Sequence, residues 1–193
     1  GDASENLTAA TLRCRLAVVH GGENDPPALS VSLAAETIGL PHHLRWPLGP
    51  SIAALGLEGV ITGPLPSAAQ PVALASAWRD GGGSAEIQKL TLAWGPLTVN
   101  GTATLALDEQ LQPMGAGNAR LTGFEATLDA FASNGVMTRS AAKAAKAVLS
   151  LLAGTPQEGE TPEVDVPLTL QYRTLSMRQV PLVRLPELDW PAP

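Results

Sequence analysis

The side chains that carry most metal and nucleophilic chemistry are scarce: 193 residues include one cysteine, three histidines and 4% aromatics. A single cysteine excludes an intramolecular disulfide, so stability must come from burial and hydrogen bonding. It also leaves too few soft ligands for a zinc site, which needs clustered His, Cys or carboxylates. Cys14 stands between Arg13 and Arg15 on an alternating stretch, which predicts an inward-facing, inert thiol. The histidines are His20 and the adjacent pair His42 and His43 in a proline-bounded loop. Neighbouring residues on an extended chain point to opposite sides, so that pair is a poor chelate. With few aromatic fillers, the core must be built from Leu, Ala and Val, either tightly interleaved or around a groove.

Basic charge is also sparse. The net charge is −6, and Lys and Arg gather only in the small groups Arg13/Arg15, Lys143/Lys146 and Arg173/Arg178/Arg184. Nucleic-acid binding needs a basic stripe, so that class is excluded, and the small groups read as solvated faces. No run of about 18 apolar residues exists to span a bilayer. No leader-like n-region and h-region open the chain. Gly1 in place of an initiator Met leads us to expect a piece of a longer protein.

Catalytic signatures are missing as well. There is no G-x-S-x-G elbow, no Walker loop and no H-E-x-x-H. Gly21-Gly22-Glu23-Asn24-Asp25 lacks the spacing and closing Glu of a calcium loop, and reads as a turn. Gly115-Ala116-Gly117-Asn118-Ala119-Arg120 lacks the third glycine of a dinucleotide fingerprint and belongs to a strand-like run. Glu58, Asp80, Asp108, Asp129 and Asp165 fall in separate elements, with no spacing that pairs them. The expectation is a non-enzymatic chain with no cofactor and no metal.

What the chain does have is two-residue periodicity. Leu12, Cys14, Leu16 and Val18 alternate with polar or small residues over Thr11–His20, and Leu29, Val31 and Leu33 resume the pattern after a Gly/Asn/Asp/Pro turn. This predicts a hairpin. Ile52–Thr62, with Gly56 and Gly59, reads as a strand with a bulge or bend. Glu86–Trp94, Leu97–Leu107 and Ala116–Thr122 read as three more strands, whose short connections require an antiparallel meander. Val164–Met177 reads as one or two strands, and the proline-rich tail from Gln179 as extended chain.

Helices are predicted over Ser67–Arg79 with Pro71 near its first turn, over Phe124–Ser133, and over Thr138–Ala153 with Thr138 as N-cap. The predicted fold is therefore α+β: a curved, mainly antiparallel sheet with two to three helices packed on one face, forming one β-rich domain over 1–193.

A motif recurs around tryptophan. Leu44-Arg45-Trp46-Pro47, Leu92-Ala93-Trp94-Gly95-Pro96 and Leu188-Asp189-Trp190-Pro191 place a large ring at a strand end, where proline stops further pairing. Trp46, Trp94 and Trp190 read first as strand-end punctuation, and Trp78 falls in the predicted helix. All four are also the candidate contacts for an apolar ligand or interface, because Trp suits wet–apolar boundaries.

Several segments, taken in order, resemble a known family. Trp78-Arg79-Asp80-Gly81-Gly82-Gly83, Leu92-Ala93-Trp94-Gly95-Pro96-Leu97, Leu111-Gln112-Pro113-Met114-Gly115 and Leu185-Pro186-Glu187-Leu188-Asp189-Trp190-Pro191 are similar to the C-terminal half of the bacterial domain-of-unknown-function family 2125, from about residue 55 onward. The resemblance implies a periplasmic protein held to the inner membrane by an upstream segment, and transfers no catalytic residue. The strand texture is also similar to that of AsmA-like envelope proteins. Two functions follow as expectations. One is binding of a lipid or other apolar ligand in a sheet-lined groove on the order of 300 Å³ or more. The other is a structural or protein-interaction role with an envelope partner.

Overall fold

The computed structural model describes residues 8–19, 28–41, 44–63, 70–153, 161–177 and 180–190. His20, His42, His43, Arg178 and the Gly/Asn/Asp turn after the first strand lie outside the described residues. The architecture is α+β. Nine strands form one open antiparallel sheet in strict sequence order. They are β1 (Thr8–Val19), β2 (Ala28–Gly39), β3 (Ser51–Thr62), β4 (Ser84–Trp94), β5 (Leu97–Leu107), β6 (Pro113–Thr122), β7 (Glu163–Gln171), β8 (Thr174–Met177) and β9 (Val180–Arg184). Helix α1 (Pro71–Asp80) joins β3 to β4, while α2 (Phe124–Ser133) and α3 (Arg139–Ala153) join β6 to β7.

Local chemistry explains the punctuation. Pro71 opens α1 at its first turn, where a missing N–H costs nothing. Thr138 caps α3 by accepting the Ala141 N–H at 3.2 Å. Gly123, at φ +70°, turns the chain from β6 into α2, and a Cβ there would strike the Pro96 carbonyl. Tyr172 and Arg173 both adopt positive φ, 50° and 61°, in the two-residue turn between β7 and β8. That turn contains neither Gly nor Asn, so the sequence marks it poorly. β9 includes Pro181, which an edge strand tolerates and a central strand does not. The tail therefore pairs over part of its length, where only extended chain was predicted.

The main core cluster lies toward the β7 side of the sheet, while Ala35, Ile38, Leu40 and Leu48 are buried on and after β2. Phe124 on α2 and Val164 and Val166 on β7 are all within 3% of fully buried, with Leu121, Leu149, Ala153, Leu168 and Met177 packed around them. The helix pair is pinned by an ion pair between Lys146 and Asp129, so Lys146 is a tether between helices and not part of a freely solvated face. Gln112 fastens the tail. Its side chain is buried, donates to the Leu188 carbonyl at 3.2 Å and accepts the Leu188 N–H at 2.9 Å. Gln112→Ala removes both bonds, worth about 1–3 kcal/mol for a buried polar group left unpaired. Trypsin should then cut after Arg184 roughly tenfold faster or more, as the tail opens locally more often. An unchanged cleavage rate would show that the tail is held by other contacts.

Cys14 corrects an expectation. Its side is as predicted, on the apolar face with Leu12 and Leu16, but it is exposed. Alternation fixes which side a residue takes. It does not supply a layer to cover that side.

Candidate functional site: an apolar face left open

The candidate site is the apolar face itself. From the β1 edge, Cys14 stands opposite Leu33, Leu33 opposite Leu57, and Leu57 opposite Leu90. The row continues through Gly101 and Ala119 to Val166. The rows that begin at Leu12, Leu16 and Val18 are likewise apolar or glycine on each strand they cross. On the opposite face the same strands carry Arg13, Glu58, Lys89, Asn100, Arg120 and Asp165.

One irregularity keeps the face continuous. Leu90 and Ile87 are three apart, so strict alternation would turn Ile87 to the polar side. A bulge in β4 absorbs the extra residue: Leu57 pairs with Leu90 and Gly59 with Ile87. The bulge keeps both on the apolar side, a correction that periodicity alone does not reveal.

Cover is uneven along this face. The main helix contacts fall on β5 and β7. There Val164 is 1% exposed, whereas Leu12 and Leu16 at the far edge are 66% and 63% exposed. Between these extremes, small residues of β5 and β6 (Gly101, Ala103, Gly117, Ala119) floor a depression walled by Ile87, Leu90, Leu168 and Leu175. Its volume is about 180 Å³. That is smaller than the groove anticipated, and smaller than sites for compact ligands of roughly 300–1,000 Å³. Sequence reasoning did not single out these floor residues. The signal was present in the alternate small residues of Gly101-Thr102-Ala103 and Gly115-Ala116-Gly117-Asn118-Ala119.

The tryptophans fall in two groups at opposite ends of the strands: Trp94 closes β4, Trp78 lies in α1, and Trp46 and Trp190 lie outside the strands. Trp46 and Trp94 meet edge to face, with ring centroids 6.1 Å apart. Their indole N–H groups donate to Pro41 and Gly49 carbonyls at 2.9 and 2.8 Å. Trp78 and Trp190 lie at the opposite end, donating to Thr62 and Leu111 carbonyls at 2.8 and 3.1 Å. Each ring is thus tied to a loop or strand-end carbonyl, and the structure does not gather the four into one belt.

Several charged side chains are paired. Arg120 on the polar face is held above its ordinary pKa by the hydrogen bonds it donates to Asp165, then by the charges of Asp165 and Glu163. Asp129 meets Lys146, Glu58 meets Lys89, and Asp108 accepts the Gln110 and Gln112 N–H groups. Among the described residues, no group of three or more His, Cys, Asp or Glu could hold a metal ion. No described helix is long and apolar enough to cross a membrane.

Fold and site together define the class: an α+β protein built on an open antiparallel meander whose apolar face is covered only in part. The chain matches the bacterial family described as "Uncharacterized protein conserved in bacteria (DUF2125)" over residues 2–186, and it belongs to that family. The match extends well upstream of residue 55, where the recognisable motifs begin, and takes in β1 and β2. No curated protein and no solved structure matches the chain.

Proposed function

We propose that this chain is a non-enzymatic module of the bacterial envelope, on the periplasmic side, that holds an acyl chain or similar apolar ligand along its open face. The observation that carries this reading is the unbroken apolar register from β1 to β7, covered by helices at one end only. Leaving such a surface in water is costly, at about 25 cal/mol per Å² of apolar area. The small floor suits a narrow, flexible chain laid along the strands better than a compact molecule.

Lipid extracted from the purified protein and identified by mass spectrometry is the direct test. A reproducible acyl-chain species is expected, along with binding of a fluorescent fatty acid. Ala103→Phe sets a ring across the floor opposite Gly117, and should weaken that binding roughly tenfold. Because Ala103 is only half-buried, folding should survive the change. Absence of lipid together with no fatty-acid binding would refute the reading. A second reading, an envelope interaction domain, is favoured by the exposure of Leu12 and Leu16, which is greater than a ligand-binding floor requires.

A further inference from the structure

The two edges of the sheet are unequal. β9 is 5 residues long, carries Pro181, and meets β8 through a register shift. Each feature discourages the addition of another strand. β1 is 12 residues long, has no proline, and pairs with β2 without a register shift. Among the described residues no strand pairs with its outer side, which leaves a row of backbone N–H and C=O groups, the usual template for strand addition.

The side chains of β1 sort by face. Leu12, Leu16 and Val18 continue the apolar face, while Arg13 and Arg15 point to the other side. Opposite these arginines on β2 stand Ala34 and Ser32, which carry no charge. Among the described residues neither arginine forms an ion pair, whereas Arg79, Arg120 and Arg173 each do.

We propose that β1 is a docking edge for an extended segment of a partner protein, one that alternates apolar residues with Asp or Glu. Main-chain hydrogen bonds would supply affinity, and alternate side chains the selectivity. Carboxylates two residues apart on the incoming strand would meet both arginines, while its apolar residues would extend the face begun at Leu12 and Leu16. A second copy of this chain is a poor occupant. Two β1 strands paired about a two-fold axis, apolar sides aligned, set arginine against arginine in each central register. Like charges directly opposite are destabilising. The same two guanidinium groups thus disfavour self-pairing and select an acidic partner. This inference is separate from the acyl-chain reading, since it rests on the backbone edge and on the polar face.

Fluorescence anisotropy with the whole chain tests it. The probes are a blocked peptide alternating valine and glutamate, its counterpart with lysine for glutamate, and the glutamate peptide with alternate backbone amides methylated. The glutamate peptide should bind roughly tenfold tighter than the lysine peptide, and methylation should abolish binding. Joint Arg13→Glu and Arg15→Glu substitution should reverse the preference. If charge reversal disturbs folding by circular dichroism, Arg13→Gln with Arg15→Gln should erase the preference without reversing it. Equal affinity for both charged peptides overturns the proposal. So does undiminished binding of the methylated peptide, which would place the contact on the apolar face alone, or a folded protein that binds no peptide.

Discussion

Phe124→Ala is expected to destabilise the protein by about 3–5 kcal/mol, the range for a large aromatic deleted from a packed core. Phe124 is 3% exposed and forms one cluster with Val164 and Val166. It stands at the first position of α2, directly after the Gly123 turn, so its ring is the hinge pin of the helix pair. Alanine there would leave a cavity that α2 could fill only by shifting off the sheet. An equilibrium urea titration measures the loss. Leu151→Ala, at a position 83% exposed on α3, serves as control and should stay within about 0.5 kcal/mol. A loss below about 1 kcal/mol for Phe124→Ala would mean that the helices are not docked through this ring.

Gly117→Ala should cost about 1–3 kcal/mol, in spite of the general gain from replacing a flexible glycine. A Cβ at 117 would strike the Thr102 carbonyl, and would lie 2.8 Å from the Ala103 Cβ and 3.0 Å from its Cα. Two of these three atoms are backbone, so a rotamer change gives little relief and the β5–β6 ladder itself must yield. Gly115 is as constrained, with Leu105 Cα at 3.0 Å. Ala116→Val on the polar face, opposite Thr104 and Thr169, is the control, since it adds more bulk at an exposed position. Thermal unfolding of the two variants side by side gives the comparison. Equal midpoints would show that β5 and β6 are not so closely apposed.

Most of the sheet could be read from the sequence, because alternation and short turns leave few choices. Leu97–Leu107 and Phe124–Ser133 coincide with their predicted limits, and Gly56 and Gly59 lie in the predicted strand, although its own extra residue is Ala53 and the shift at Gly59 belongs to β4. The Leu90–Ile87 spacing defeated the same logic, since a bulge is a compromise between two strands and only one of them is visible in a window of sequence. β9 was hidden by Pro181, whose lost donor is harmless only at an edge that the chain order had not yet revealed. Cys14 was legible as to side and illegible as to burial, for cover comes from a layer distant in sequence. Of the tryptophan echo, only Trp94 ends a strand, while Trp46 and Trp190 lie in connecting and tail segments. Which carbonyl each indole meets was not legible, since Trp94 reaches Gly49 and Trp190 reaches Leu111 across long stretches of chain.

Because each strand lies beside its own predecessor in the chain, the sheet is written in the order in which it is assembled. Such a layout lets a whole hairpin be duplicated or lost without rethreading any connection, much as repeat proteins gain and lose units. Relatives of different length could then share one ribbon, lengthened or trimmed by single genetic events, with the helix-clad end left untouched as the fixed point from which it is measured.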